Sequence, residues 1–253
     1  MTYDTYQRCA KNLKDLLKLD SSPVGVTFLK DSSHRRGFQR LGSHRYCQAV
    51  MMARRGKKVR INGDGLSCPA AARAFGFKPL PEVLESGNGL VGFGIVSDPE
   101  IGRKMFQSMT TLEKGSIQDI ALFPLENAPM TPDIVVLEGE VEKLMWIVLA
   151  YLHVMGGERV DSTTSVLQAT CVDSTIIPFM EDRLNMTFGC YGCREATDID
   201  GTETILGFPG HFLEEITEHV EFLSRKAIPR SRGKNVFHSL VNKTEAAVSC
   251  QNA

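Results

Sequence analysis

The sequence predicts an α/β fold, a mixed sheet with helices packed on it, in a single domain over residues 1–229 followed by a basic, polar tail over 230–253. Three observations carry this. Short apolar runs such as Val24–Leu29, Asp133–Leu137 and Thr204–Phe208 have the length and composition of strands. Between them lie longer segments whose apolar residues recur at helical spacing. At 253 residues the chain is long enough to bury a substantial core in one large domain.

Taken in order, Asp4–Leu19 places Tyr6, Cys9, Leu13, Leu16 and Leu17 on one helical face with lysines opposite, and Pro23 follows its end. Val24–Leu29 is a strand, and the polar, basic Asp31–Arg40 is a loop, solvated or facing an anion. Ser43 is placed to cap a second helix reaching about Arg55, with Cys47 near its first turn. A short strand begins at Val59. The turn holding Gly63 and Gly65 leads to Cys68-Pro69, where proline favours the first helical position. Pro81–Ser86 is a short helix. Gly87–Ile95 has four glycines but matches no phosphate-binding fingerprint, and reads as a loop or strand edge.

Asp98–Met109 is a helix capped by Ser97 or Asp98, and Ile117–Phe123 is a strand. Asp133–Leu137 leads into Glu140–Met155, the clearest helix, closed by Gly156 and Gly157. Its Trp146, Tyr151 and Met155 read as core residues rather than a cofactor box, and so does His153. Thr164–Thr170 is a strand or an approach to Cys171, Asp173–Met180 a helix or turn, and Asn185–Phe188 a strand delivering Cys190. Phe212–Lys226 is the last long helix, and the tail beyond Pro229 is expected to order on a partner. The order strand 24–29, helix 44–55, Cys68 echoes strand 133–137, helix 140–155, Cys171, which points to an internal pseudo-repeat that brings Cys68 and Cys171 to one crevice.

A formal charge of −1 argues against general nucleic-acid binding and against a membrane-surface role. The longest apolar stretch, Leu144–Met155, is too short to span a bilayer. The first residues lack the basic-then-apolar pattern of a secretory signal, so a cytoplasmic protein is expected. Seven cysteines, an odd number in a reducing compartment, speak for metal or redox chemistry rather than a disulfide framework. Cys9 and Cys250, near the ends, read as bystanders.

Chemistry concentrates in Leu184–Arg194. Cys190 and Cys193 stand two residues apart between the flexible Gly189 and Gly192, so two sulfurs can point at one atom or at each other. Cys47 and Cys68 fall at helix starts, where the helix dipole favours a thiolate. The histidines show no His-x-x-x-His pairing, and the acid pairs Asp198/Asp200 and Glu214/Glu215 read as solvated.

The segments Arg45-Tyr46-Cys47-Gln48-Ala49, Leu66-Ser67-Cys68-Pro69-Ala70, Ala169-Thr170-Cys171-Val172-Asp173 and Phe188-Gly189-Cys190-Tyr191-Gly192, preceded by Pro23-Val24-Gly25-Val26, resemble the uncharacterised prokaryotic family DUF169 over roughly residues 8–230. The resemblance implies that Cys47, Cys68, Cys171 and Cys190 matter together. Cys193 departs from the pattern, which has a small residue before the Arg194 position, leaving it a fifth ligand, a substitute or a spare thiol.

Four thiolates converging from separate segments suit an iron–sulfur cluster, a [4Fe–4S] centre, or a tetrahedral zinc. Structural zinc sites use close ligand pairs, whereas only 190/193 is close here, so the cluster is the favoured expectation and zinc the alternative. The expected ligands are Cys47, Cys68, Cys171 and Cys190, with Cys193 alternate or additional, and Arg45, Tyr46 and Arg194 lie around them as cofactor-binding residues. The expected role is electron transfer, or handling of a small ligand or metal–sulfur unit. Two competing readings are a zinc-stabilised binding module and a thiol oxidoreductase using Cys190 and Cys193. A redox partner protein and a homo-oligomer both fit the cluster reading.

Overall fold

The computed structural model describes residues 3–31 and 33–241. Seven strands form one sheet: β1 (Val24–Leu29), β2 (Gln39–Arg40), β3 (Val59–Ile61), β4 (Asp119–Pro124), β5 (Ile134–Glu140), β6 (Asn185–Thr187) and β7 (Glu203–Pro209). Their order is β2-β3-β4-β1-β5-β7-β6. Only β2 and β3 run parallel; all other neighbours are antiparallel, so the sheet is mixed as the sequence predicts.

The central strands are mostly apolar because both faces of the sheet are covered, with Asp119 and Glu138 as buried exceptions. On one face lie Val24 and Val26 of β1, Ile120 and Leu122 of β4, and Ile134 and Val136 of β5. Against them pack α2 (Tyr46–Arg54), α3 (Pro69–Ala74) and a π-helical segment, Ala169–Ile176, that continues into a short α-helix, Ile177–Glu181. Ala121 and Phe123 of β4, Val135 and Leu137 of β5, and Leu206 and Phe208 of β7 face the opposite way. There they meet α1 (Tyr3–Leu17) and the helices Val141–Val154 and Leu213–Ser224. Each large side chain buried in these layers contributes about 1.5–3 kcal/mol.

The internal echo keeps its strand–helix order but not its packing. Helix α2 lies on one face of the sheet, while Val141–Val154 lies on the other. Ser43 does not cap α2, since it adopts a left-handed backbone (φ 55°). The cap is Arg45, whose backbone N–H donates to the Gln48 side chain at 2.9 Å. The expected loop 31–40 ends in β2, and the half-buried Arg35 is more than a solvated charge: with Arg60 it pairs with the fully buried Asp119. Asp98, not Ser97, caps Pro99–Gln107 by accepting from the Glu100 N–H at 2.8 Å.

Gly87–Ile95 is not a strand edge. It contains a one-turn helix, Asn88–Gly92, which with Glu82–Glu85 and Pro99–Gln107 forms a small helical cap with its own apolar centre of Leu80, Leu90, Phe106 and Leu167. The tail also differs from expectation as far as it is described: Ala227–Gly233 is helical, and Arg232 reaches Glu142 at 3.0 Å and the Leu17 carbonyl at 3.2 Å. Residues 242–253, including Cys250, lie outside the described residues. Among the described residues no helix is long and apolar enough to cross a membrane.

Candidate functional site

Four cysteine segments start four helical pieces at one end of the same face. Cys47 is the second residue of α2, and Cys68 caps α3 with Pro69 at its first position. Cys171 is the third residue of the π segment, and Cys190 caps a short helix, Tyr191–Ala196. Backbone N–H groups at such starts have no partner within the helix, so they point toward whatever the cysteines face. Together with Cys193, these four line one cavity of about 380 Å³.

The 190/193 pair is arranged as a sulfur version of a capping box. The Cys190 N–H donates to the Cys193 sulfur at 2.8 Å, and the Cys193 N–H donates to the Cys190 sulfur at 3.2 Å. Gly189, with φ 84°, supplies the left-handed turn that aims Cys190 into this position. The hydrogen bond from Cys193, then the N–H groups of Cys193, Ala169 and Gly192, outweigh burial and bring the Cys190 thiol down to about 6. Its neighbours move the other way. Burial, then the charges of Cys190 and Cys68, push Cys47 up to about 12. Cys171 is raised well above the usual thiol range by burial and by Cys68, Cys190 and Cys47. Cys193 is raised by its hydrogen bond to Cys190. The sulfurs thus repel one another's ionisation across a shared space, and one thiolate is the most they carry readily as bare thiols.

Arg45 ties two of these helix starts together. Its guanidinium donates to the Gly192 carbonyl at 2.7 Å and to Glu195 at 2.9 Å, while sensing Cys47 and Cys68. Tyr46 is buried, its ring 4.7 Å from that of Phe75, and its hydroxyl lies 3.0 Å from the Thr175 hydroxyl. Because Thr175 donates to the Thr170 carbonyl at 2.7 Å, the tyrosine is the donor, and it ties α2 to the π segment.

That segment is held under unusual backbone conditions. Val166 and Gln168 ahead of it have φ of 51° and 55°, a left-handed conformation costly for side chains other than glycine. All eight of its residues are buried. Behind it, Gly207 of β7 leaves room for its backbone, since a Cβ there would lie 1.8 Å from the Ser174 oxygen. Asp173 accepts from Thr164 at 2.8 Å, and burial pushes its carboxyl up to about 6. π-helical turns interrupt the regular ladder and recur at functional sites.

The family model DUF169, described as an uncharacterised ArCR, matches residues 12–219. The chain belongs to the DUF169 family. No curated protein and no solved structure matches it. The DUF169 match spans all five cavity cysteines and excludes Cys9 and Cys250. Cys9 is buried in α1 on the opposite face of the sheet, away from the cavity.

Of the residues the sequence singles out, the structure brings Cys47, Cys68, Cys171, Cys190, Cys193, Arg45 and Tyr46 to one cavity. Arg194 is not among its lining residues. It pins the loop behind the site by donating to the carbonyls of Asp200 (2.8 Å), Glu203 (3.0 Å) and Phe188. What the DUF169 chain presents is a shared wall of sulfur rather than a closed coordination shell: among the described residues, no three His, Cys, Asp or Glu side chains are grouped so as to hold a metal ion.

Sequence reasoning did not single out the apolar wall opposite, from the cap, nor Gln168 and Thr170 of the π approach. Two of the cap's helices are legible in the sequence, over Pro81–Ser86 and Asp98–Met109, but not their closure over the cysteines. His153 and Met155, expected in the core, are exposed instead at the end of their helix, where the His153 Nδ1 lies 3.2 Å from that of His219 on the neighbouring helix.

Glu138 is a further buried acid, and its sequence signal is an acid directly following the apolar run Ile134–Leu137. It is buried beside Arg54, Nε to Oε2 3.3 Å, but Arg54 is shared with Asp198 (2.8 Å) and Glu203 (3.4 Å). Burial therefore prevails over Arg54 and pushes Glu138 up to about 7. A carboxyl raised in the folded state contributes stability that is complete below its unfolded value of 4.5 and lost as pH rises through 7. Glu138→Gln should flatten this window, reducing the pH 5 to pH 8 difference in unfolding free energy by about 3 kcal/mol in urea titrations. An unchanged difference would mean that Glu138 stays ionised throughout.

Proposed function

We propose that this DUF169 protein binds a cysteine-ligated iron–sulfur cluster, a [4Fe–4S] centre in the cavity, and uses it for electron transfer or to handle a small ligand or metal–sulfur unit. The observation that carries the reading is the convergence of five thiols from four helix starts on one cavity. Cys47, Cys68, Cys171 and Cys190 are the proposed ligands, with Cys193 as alternate or additional donor.

The donor set fits such a group on physical grounds. Soft thiolates are what iron–sulfur centres take. The burial, and after it the mutual repulsion, that raise Cys47 and Cys171 are offset by a cationic centre, since a bound metal deprotonates its thiol ligands. The N–H groups that already point at Cys190 are the type of donor that tunes cluster thiolates. When bound, the cluster supplies one-electron chemistry or a Lewis-acidic iron. The protein's own part is to hold the sulfurs, exclude water, and set the field: Arg45 adds positive charge beside Cys47 and Cys68, while Arg194 fixes the loop that carries Cys190. A reducing, cytoplasmic setting and a redox partner protein belong to this reading.

Iron, sulfide and zinc content, with a visible spectrum, on protein purified without oxygen tests it. Brown protein with near-equal iron and sulfide is expected. Colourless protein carrying zinc would replace the cluster by a structural metal. Metal-free protein with a Cys190–Cys193 disulfide, read by mass spectrometry, would favour thiol redox chemistry, for which the acidified Cys190 beside Cys193 is the specific support.

A further inference from the structure

The cavity has two unlike ends. Sulfur lines one. The other is made by the cap, where Leu84, Leu90, Phe93, Ile95 and Phe106 present apolar side chains. Phe93 is 67% exposed, which puts it at the boundary with solvent. Among the lining residues the charged side chains are Arg45 and Glu195, which neutralise each other at 2.9 Å, and the acidic Cys190 thiol. No free positive charge is therefore left to recognise an anionic ligand. One polar group is barely spent: the Thr170 hydroxyl, buried on the lining, has no oxygen or nitrogen partner among the described residues and meets only the weakly bonding Cys193 thiol. A cavity of about 380 Å³ is within the range of small-molecule sites, which combine apolar walls with a few placed polar groups.

We infer that the cap end of this cavity binds an uncharged, mainly apolar organic molecule of one or two rings carrying a single polar oxygen. Its apolar body lies against the cap, and its oxygen meets Thr170 at the sulfur wall. This deepens the cluster reading, on which it rests for the chemistry of that wall, by naming the class of ligand that approaches it. The cap itself is suited to admitting such a guest: its apolar centre is small and distinct from the two large sheet-face cores, with the half-buried Met109 packed against both it and one of them.

The test uses the full-length protein, whose iron content is measured first, with 2-naphthol as probe and 2-naphthoate as its anionic counterpart of similar size. Calorimetric titration is expected to show 2-naphthol binding at least tenfold more tightly than 2-naphthoate. Ala70→Trp, which fills the cavity from its half-buried lining position, should weaken 2-naphthol at least tenfold. Independently of any variant, nuclear Overhauser effects should link the naphthol ring to the methyls of Leu84, Leu90 and Ile95. Absence of those contacts, or preference for naphthoate, overturns the inference. Iron content decides the cluster separately. Iron-free protein that shows the contacts keeps the apolar site and loses the cluster, and iron-containing protein that lacks them does the reverse.

Discussion

Cys68→Ser is expected to abolish the brown colour and lower iron and sulfide content at least tenfold, while leaving the metal-free fold as stable as before. The position separates the two roles. Cys68 is half-buried at the cap of α3, and its side chain makes no capping hydrogen bond. Serine is a better N-cap than most residues, so the substitution should change stability by no more than about 0.5 kcal/mol. As a ligand, however, an alkoxide replaces a soft thiolate, and iron–sulfur centres hold to sulfur. Iron and sulfide assays alongside thermal unfolding of the metal-free protein check both halves. Full iron and sulfide in the serine variant would remove Cys68 from the ligand set. A metal-free variant that unfolds far below the parent would make Cys68 a packing residue.

Gly207→Ala should give the largest loss of stability of any single methyl addition in the molecule's centre. The added Cβ would lie 1.8 Å from the Ser174 carbonyl oxygen, and the obstacle is backbone rather than a movable side chain. Gly207 cannot retreat, because β7 is paired on both sides, with Val136 of β5 and Asn185 of β6. The π segment would have to move instead, and it carries Cys171 with Tyr46 and Asn185 bonded to it. Overpacking of this kind costs about 3 kcal/mol or more, which lowers the midpoint by roughly 10 °C for a chain of this size. Because the displaced segment bears a proposed ligand, iron content should fall together with stability. Unchanged thermal unfolding would show that the segment yields freely.

The two substitutions fail differently by design. Cys68→Ser removes a donor from an intact frame, whereas Gly207→Ala distorts the frame and leaves every donor in place. The cysteine reading requires the first to be the cleaner loss of metal and the second the greater loss of fold.

What the sequence determined alone was mostly local. Val24–Leu29 is a strand because its apolar run has the right length, and Cys68-Pro69 starts a helix because proline lacks an N–H that the first turn does not need. The clustering of Cys47, Cys68, Cys171 and Cys190 as a set was legible in their surrounding motifs, and they do share one cavity. Tertiary structure decided everything that depends on distant partners. The left-handed Ser43 yields the α2 cap to Arg45, whose side chain is fixed by Gly192 and Glu195, residues about 150 positions away. The π segment has no pattern of its own; it exists because Gly207 admits it and Tyr46 and Asn185 bond to it. Cys190 is singled out as the acidic thiol by the hydrogen bond from the Cys193 side chain, joined by N–H groups from Cys193, Ala169 and Gly192 meeting at its sulfur. Helical and strand periodicity are properties of neighbours along the chain. A cavity wall, a shared arginine and a lowered thiol pKa are sums over groups that only folding brings within range.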